Sequence, residues 1–74
     1  MTDLANRLKE TRQSRGLTQE ALADLVGVTR QTIIAIEKAK FIPSVKLALQ
    51  IASVLQLSLD DLFWLEESSC PQIQ

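Results

Sequence analysis

Arg30 and Gln31 are adjacent side chains suited to one kind of chemistry, the making of paired hydrogen bonds. A guanidinium offers two parallel donors, which match O6 and N7 of guanine. A carboxamide offers one donor and one acceptor, which match N6 and N7 of adenine. Ile33 and Ile36 repeat at helical spacing on one side of the same segment, leaving Arg30, Gln31, Ile34, Ala35 and Lys38 on the other. An outward face headed by Arg and Gln suits the edges of base pairs. Ile34 on that face has three readings: a reader of thymine methyl groups, an incidental exposed apolar residue, or a protein contact. Catalytic chemistry is poorly supplied by comparison. The chain contains no histidine and a single cysteine, Cys70, so the commonest acid–base group is missing and no thiol cluster can hold a metal. Asp60 and Asp61 are adjacent helical residues pointing ~100° apart, which suits helix capping better than a carboxylate dyad. An enzyme is not expected, nor is a cofactor or a metal.

The outward face needs elements to hold it. Thr18 is placed to cap a helix over 19–26, with only half of a capping box because Ala21 stands where Glu or Gln would reach back. Ala23 is small enough for a second helix to cross close to its backbone. Gly27 falls where the chain must enter the left-handed region, and Val28 anchors the turn. Thr29 then offers its side-chain oxygen to the N-terminus of a third helix, from Arg30 to about Ala39. Upstream, a first helix starts after Asp3 or Asn6 and runs to about Arg15. Leu4 or Ala5, Leu8, Thr11 and Arg12 face inward, Gly16 terminates the helix, and Leu17 is a buried link. Arg7, Lys9 and Arg15 are expected to face solvent. Downstream, Pro43 disfavours helix at Ile42, and Ser44 caps a fourth helix over 45–55. Ser58 with Asp61 reads as a capping box opening a fifth helix, from Leu59 to about Leu65.

Seventy-four residues support one domain, near the lower limit for a core without disulfides or metal. The expected division is a domain over 1–66 and a tail over 67–74. The tail carries Cys70 as an inert thiol and is frayed or extended unless a partner orders it. Net charge is −1, but residues 1–46 hold all eight basic and five acidic side chains, while 47–74 hold four acidic and no basic ones. Local fields govern binding, so a cationic front and an anionic rear are expected. No apolar run approaches the ~18 residues of a membrane span, and no signal-peptide core is evident, so a cytoplasmic protein is expected. Leu59, Leu62, Phe63, Trp64 and Leu65 supply more apolar surface than so small a bundle can hide. Part of this set completes the core, and the rest is expected to form a two-fold interface.

With these elements placed, residues 4–65 resemble the Cro/CI repressor-like (Xre-type) helix-turn-helix family. The resemblance rests on Gln19, Ala23, Gly27, Ile33 and Ile36 at fixed spacing, and on Arg30-Gln31-Thr32-Ile33, Ile36-Glu37-Lys38, Pro43-Ser44, Leu47-Ala48-Leu49 and Leu59-Asp60-Asp61-Leu62-Phe63. It implies an all-α, five-helix lambda-repressor-like DNA-binding domain, with a short C-terminal strand, Trp64–Ser68, pairing across a dimer axis. It also implies a homodimeric regulator of double-stranded DNA, most often a repressor, acting on a pseudo-palindromic operator.

Residue by residue, the resemblance gives Gln19 a phosphate contact, and takes Arg30 and Gln31 into the major groove. Thr32 meets phosphate or a base, and Ala35 meets a thymine methyl; Thr29 and Ile34 share that surface. Lys38, Lys40, Ser44 and Lys46 grip the backbone, while Arg12 and Glu37 form an internal ion pair. Where the family usually has Gly this chain has Ala39, so the third helix is expected to run on into Lys40. The rival reading is an antitoxin-like or anti-regulatory module whose main partner is a protein and which regulates itself through DNA.

Overall fold

A computed structural model of the chain describes residues 2–67, in the order β1 (Thr2–Asn6), α1 (Leu8–Ser14), α2 (Gln19–Val26), α3 (Arg30–Glu37), α4 (Val45–Leu55), α5 (Leu59–Leu62) and β2 (Phe63–Glu67). The tail, with Cys70 and the Ser68 end of the expected strand, lies outside the described residues. Five helices surround one core, to which every helix and β2 contribute. Leu8, Leu22, Ala23, Val26, Ile33 and Ile36 come from α1 to α3; Ala48, Ile51, Ala52, Leu55, Leu62 and Phe63 come from the rest. Among the described residues no helix is long and apolar enough to cross a membrane.

Caps define the helices. Thr18 Oγ1 accepts the Ala21 amide at 3.0 Å, Thr29 Oγ1 the Thr32 amide at 3.3 Å, and Ser44 Oγ the Leu47 amide at 3.1 Å. Each residue satisfies one of the donors that a helix N-terminus leaves unpaired. Ser58 Oγ accepts the Asp61 amide and donates to the Asp61 carboxylate, a side-chain pair in place of the return bond to the Ser58 backbone amide that a capping box makes. Gly27 takes φ of 76°, and the Val28 amide then reaches back to the Ala23 carbonyl at 3.0 Å. That reversal sets α3 across α2, with Ala23 beneath the crossing and only 1% exposed.

Several boundaries differ from expectation. Of the two starts considered for the first helix, the one after Asn6 holds and the one after Asp3 does not: residues 2–6 are a strand, which pairs antiparallel with Phe63–Glu67, in register Leu4 with Leu65 and Asn6 with Phe63. The fifth helix stops at Leu62, and Phe63 turns extended at φ −125° and ψ 142°. The C-terminal strand pairs with β1 of its own chain, a contact that the expectation of pairing across a dimer axis did not include. Finally, α3 ends at Glu37 and does not continue into Lys40, since Ala39 itself enters the left-handed region at φ 59°. Two bonds hold it there: Lys40 N–H to Ala35 O at 2.8 Å and Ala39 N–H to Ile36 O at 3.0 Å. They satisfy carbonyls that the helix end would otherwise leave unpaired.

Asn6 joins strand to helix. Its Oδ1 accepts the Leu8 amide at 3.0 Å, supplying a cap for α1, and its Nδ2 donates to the Ile36 carbonyl at 3.0 Å. One side chain thus starts α1 and holds the end of α3.

Candidate nucleic-acid interface

On α3, Arg30 and Gln31 are exposed, Ile34 and Ala35 half-buried, and Lys38 exposed at the helix end. Residues 30, 34 and 38 follow one another at a spacing of four, so they form a stripe down one side, with 31 and 35 beside it. Opposite, Ile33 and Ile36 are fully buried. Ile34 does not join the half-buried residues packed against the core. It is an apolar group on the outer surface. Thr32 is half-buried, and its hydroxyl lies 3.1 Å from the Thr29 hydroxyl. Thr29 is thus occupied mainly in shaping the start of α3.

Two further helix N-termini carry residues expected at the interface. Gln19 is the first residue of α2, and Ser44 caps α4 with Lys46 exposed in its first turn. Free amides in a first helical turn favour an anion such as phosphate. Lys40, in the α3–α4 connection, is exposed as well. The cations Arg30, Lys38, Lys40 and Lys46 all fall within α3, the loop after it and the first turn of α4, whereas α5 and β2 carry only acidic charge.

Behind this surface lies the ion pair between α1 and α3. Arg12 Nε donates to Glu37 Oε2 at 2.7 Å, with side chains 8% and 5% exposed, and this is the one salt bridge among the described residues. Arg12 also donates to the Leu17 carbonyl at 2.7 Å, tying the α1–α2 connection to the same point. The remaining carboxylate oxygen, Glu37 Oε1, accepts from Gln19 Nε2 at 3.1 Å. No buried side-chain polar atom among the described residues lacks a partner. A desolvated pair of this kind fixes orientation more than it adds stability, because desolvation offsets much of the attraction.

Five side chains were expected at a dimer interface, and the structure divides them. Leu62 is fully buried in the core of one chain, and Phe63 nearly so, with only its edge lining the groove beside β2. Leu59 and Trp64 are half-buried, and Leu65 is 69% exposed. An open apolar groove of about 470 Å³ passes Leu4, Pro43, Val45, Leu59, Trp64 and Leu65.

Several contacts were not anticipated. The Arg7 guanidinium sits 5.0 Å above the Trp64 ring, and Arg15 Nε donates to the Leu55 carbonyl at the end of α4 at 2.9 Å. Both arginines are exposed as expected, and each in addition braces a neighbouring element. The link from Glu37 to Gln19 was also missed, although both residues stood among those singled out. No sequence spacing announces a contact between residues 18 apart on different helices.

Residues 8–62 match the HTH_3 helix-turn-helix family. The chain is 47% identical over 66 residues to the uncharacterized HTH-type transcriptional regulator YgzD of Bacillus subtilis, covering 89% of this chain and all of that protein. It is 50% identical over 64 residues to an uncharacterized HTH-type transcriptional regulator of Methanocaldococcus jannaschii, covering 86% and 97% of the two chains. Among solved structures, the P22 c2 repressor in complex with a synthetic operator superposes with a TM-score of 0.71 at 30% identity, over 73% of this chain and 82% of that one. The restriction-modification controller protein C.AhdI from Aeromonas hydrophila gives 0.68 at 31% identity, over 73% and 78%.

Proposed function

The chain belongs to the HTH_3 helix-turn-helix family of DNA-binding transcriptional regulators, and from that premise we propose that it is a repressor that binds a pseudo-palindromic operator as a homodimer. The observation that carries this reading is the outer stripe of α3. It holds a donor fork, a carboxamide and two partly buried apolar groups on the side of the helix opposite the fully buried Ile33 and Ile36. Arg30 and Gln31 read base edges; Gln19, Lys38, Lys40, Ser44 and Lys46 hold the phosphates; Ile34 and Ala35 meet thymine methyls. Thr32 lies at the edge of this surface, and Thr29 contributes by building the helix start.

The groove beside β2 supports a second copy as the dimer partner. Phe63 and Leu65 lie two residues apart in one strand and so project on one side of it. That side begins inside the core at Phe63 and runs out into solvent at Leu65. A two-fold axis beside Leu59 and Leu65 would cover that side with the same residues of a second chain. Two recognition helices on such a dimer enter successive major grooves ~34–36 Å apart.

Selection from a random duplex library, followed by affinity measurement across salt concentrations, tests the reading. Selected sites are expected to contain inverted half-sites about one helical turn apart. Gln31→Ala relaxes the preference at one position of each half-site. Lys40→Ala weakens binding to all duplexes and lowers the salt slope by about one. Equal losses from both variants on selected and random duplexes would defeat the division of roles.

A further inference from the structure

We infer that Glu37, beyond pairing with Arg12, is a positioning residue that fixes which atom of the Gln19 amide faces the nucleic acid. The inference rests on the DNA reading above and adds a device to it. A glutamine amide presents two donors on Nε2 and an acceptor on Oε1, and nothing local decides which end points where. Here the decision comes from a carboxylate, which when ionised only accepts. Glu37 Oε1 takes one Nε2 proton at 3.1 Å, and the flipped amide would set oxygen against oxygen. The carboxylate cannot turn away to relieve that, because its other oxygen holds Arg12 Nε at 2.7 Å with both side chains nearly excluded from water. Arg12 is anchored in turn on the Leu17 carbonyl.

Phosphate oxygens also only accept, so a glutamine must meet them with N–H and not with its carbonyl. With one Nε2 proton committed to Glu37, the second is carried on a nitrogen whose position is already set. Gln19 is the first residue of α2, where the unpaired amides of a helix N-terminus favour an anion. The buried ion pair thereby connects α1 to the phosphate contact of α2 through a residue of α3. Holding a side chain in its bound rotamer before binding removes an ordering cost, here worth about 3- to 10-fold in affinity.

Two measurements on the full chain test this. In ¹⁵N relaxation of the DNA-free protein, the Gln19 side-chain amide is expected to be ordered, unlike the exposed amides of Gln13, Gln31, Gln50 and Gln56. An amide as mobile as theirs overturns the proposal, and this readout requires no variant to fold. The second is a double-mutant cycle on a duplex that the wild-type chain binds, with Glu37→Asp and Gln19→Ala compared at equal folded fraction. Glu37→Asp keeps the charge opposite Arg12 while drawing the carboxylate back from Gln19. It should weaken binding about 3- to 10-fold in the wild-type background and leave affinity unchanged in the Gln19→Ala background. Equal losses in both backgrounds sink the positioning role alone. Failure of the wild-type chain to bind any duplex sinks the DNA reading and the role of this amide together, whatever the spectrum shows.

Discussion

Replacing Ala39 by glycine should stabilise the chain, although it removes a methyl group and loosens the unfolded state. Ala39 sits at φ 59°, immediately past the end of α3, held by backbone bonds to the Ala35 and Ile36 carbonyls. A left-handed conformation costs an L-residue with a β-carbon about 1–2 kcal/mol, a strain that glycine escapes. Against this, glycine widens the unfolded ensemble by about 0.4–1 kcal/mol. The net expectation for Ala39→Gly is a gain of about 0.5–1 kcal/mol, or a rise in Tm of roughly 2–8 °C for a domain of this size. Urea unfolding followed by circular dichroism measures it, and the m-value should stay constant because the surface buried on folding scarcely changes. Gly27→Ala supplies the reverse experiment. Its φ is 76° and an added β-carbon would find no atom within 4 Å, so the torsional term stands alone and the loss should be of similar size. Gln56, at φ 60° at the end of α4, should respond to glycine as Ala39 does. A neutral or destabilising Ala39→Gly beside a costly Gly27→Ala would refute the assignment of α3's end.

Other substitutions probe the remaining supports. Arg12→Ala leaves the Glu37 carboxylate buried without its counter-charge and should cost about 3–5 kcal/mol in chemical denaturation. Leu62→Ala should cost about 2–5 kcal/mol, since the side chain is fully enclosed in one chain's core. Leu65→Glu should change monomer stability by no more than about 0.5 kcal/mol, yet shift sedimentation from dimer to monomer; a dimer that persists would move the two-fold axis elsewhere. Arg7→Ala should loosen the β1–β2 pair by about 0.5–1 kcal/mol, seen as faster amide exchange across Leu4 and Leu65, because the exposed guanidinium gives up its place over Trp64.

The helix-turn-helix was legible because its signals are local. Thr18, Gly27, Thr29, Ser44 and Ser58 each act within four residues of themselves, and the apolar repeat of α2 to α4 fixes the buried face independently of tertiary context. The two strands were not legible as a pair. Thr2-Asp3-Leu4-Ala5-Asn6 has no run of branched or aromatic residues, and Leu4 with Leu8 mimics a helical repeat. These residues are extended because Phe63–Glu67 lies beside them, almost the full length of the chain away in sequence. The same strand formation divided the expected interface, drawing Phe63 inward while Leu65 remained outside. At Ala39 the residue type pointed to a longer helix, and the backbone bonds that close α3 outweighed that preference. Of the candidate site, the stripe on α3 could be placed from periodicity alone. The contact between Glu37 and Gln19 could not, because it depends on how closely two helices cross.

Whether the outer side of α3 meets the duplex can be read from backbone and side-chain shifts of the labelled chain on titration with a selected operator. The largest changes are expected at Arg30, Gln31, Ile34 and Lys38, with Gln19 and the Ser44–Lys46 turn following, and little change at Asp60 or Asp61. Perturbation concentrated on α5 and β2, with the α3 stripe unmoved at saturating duplex, would contradict that contact.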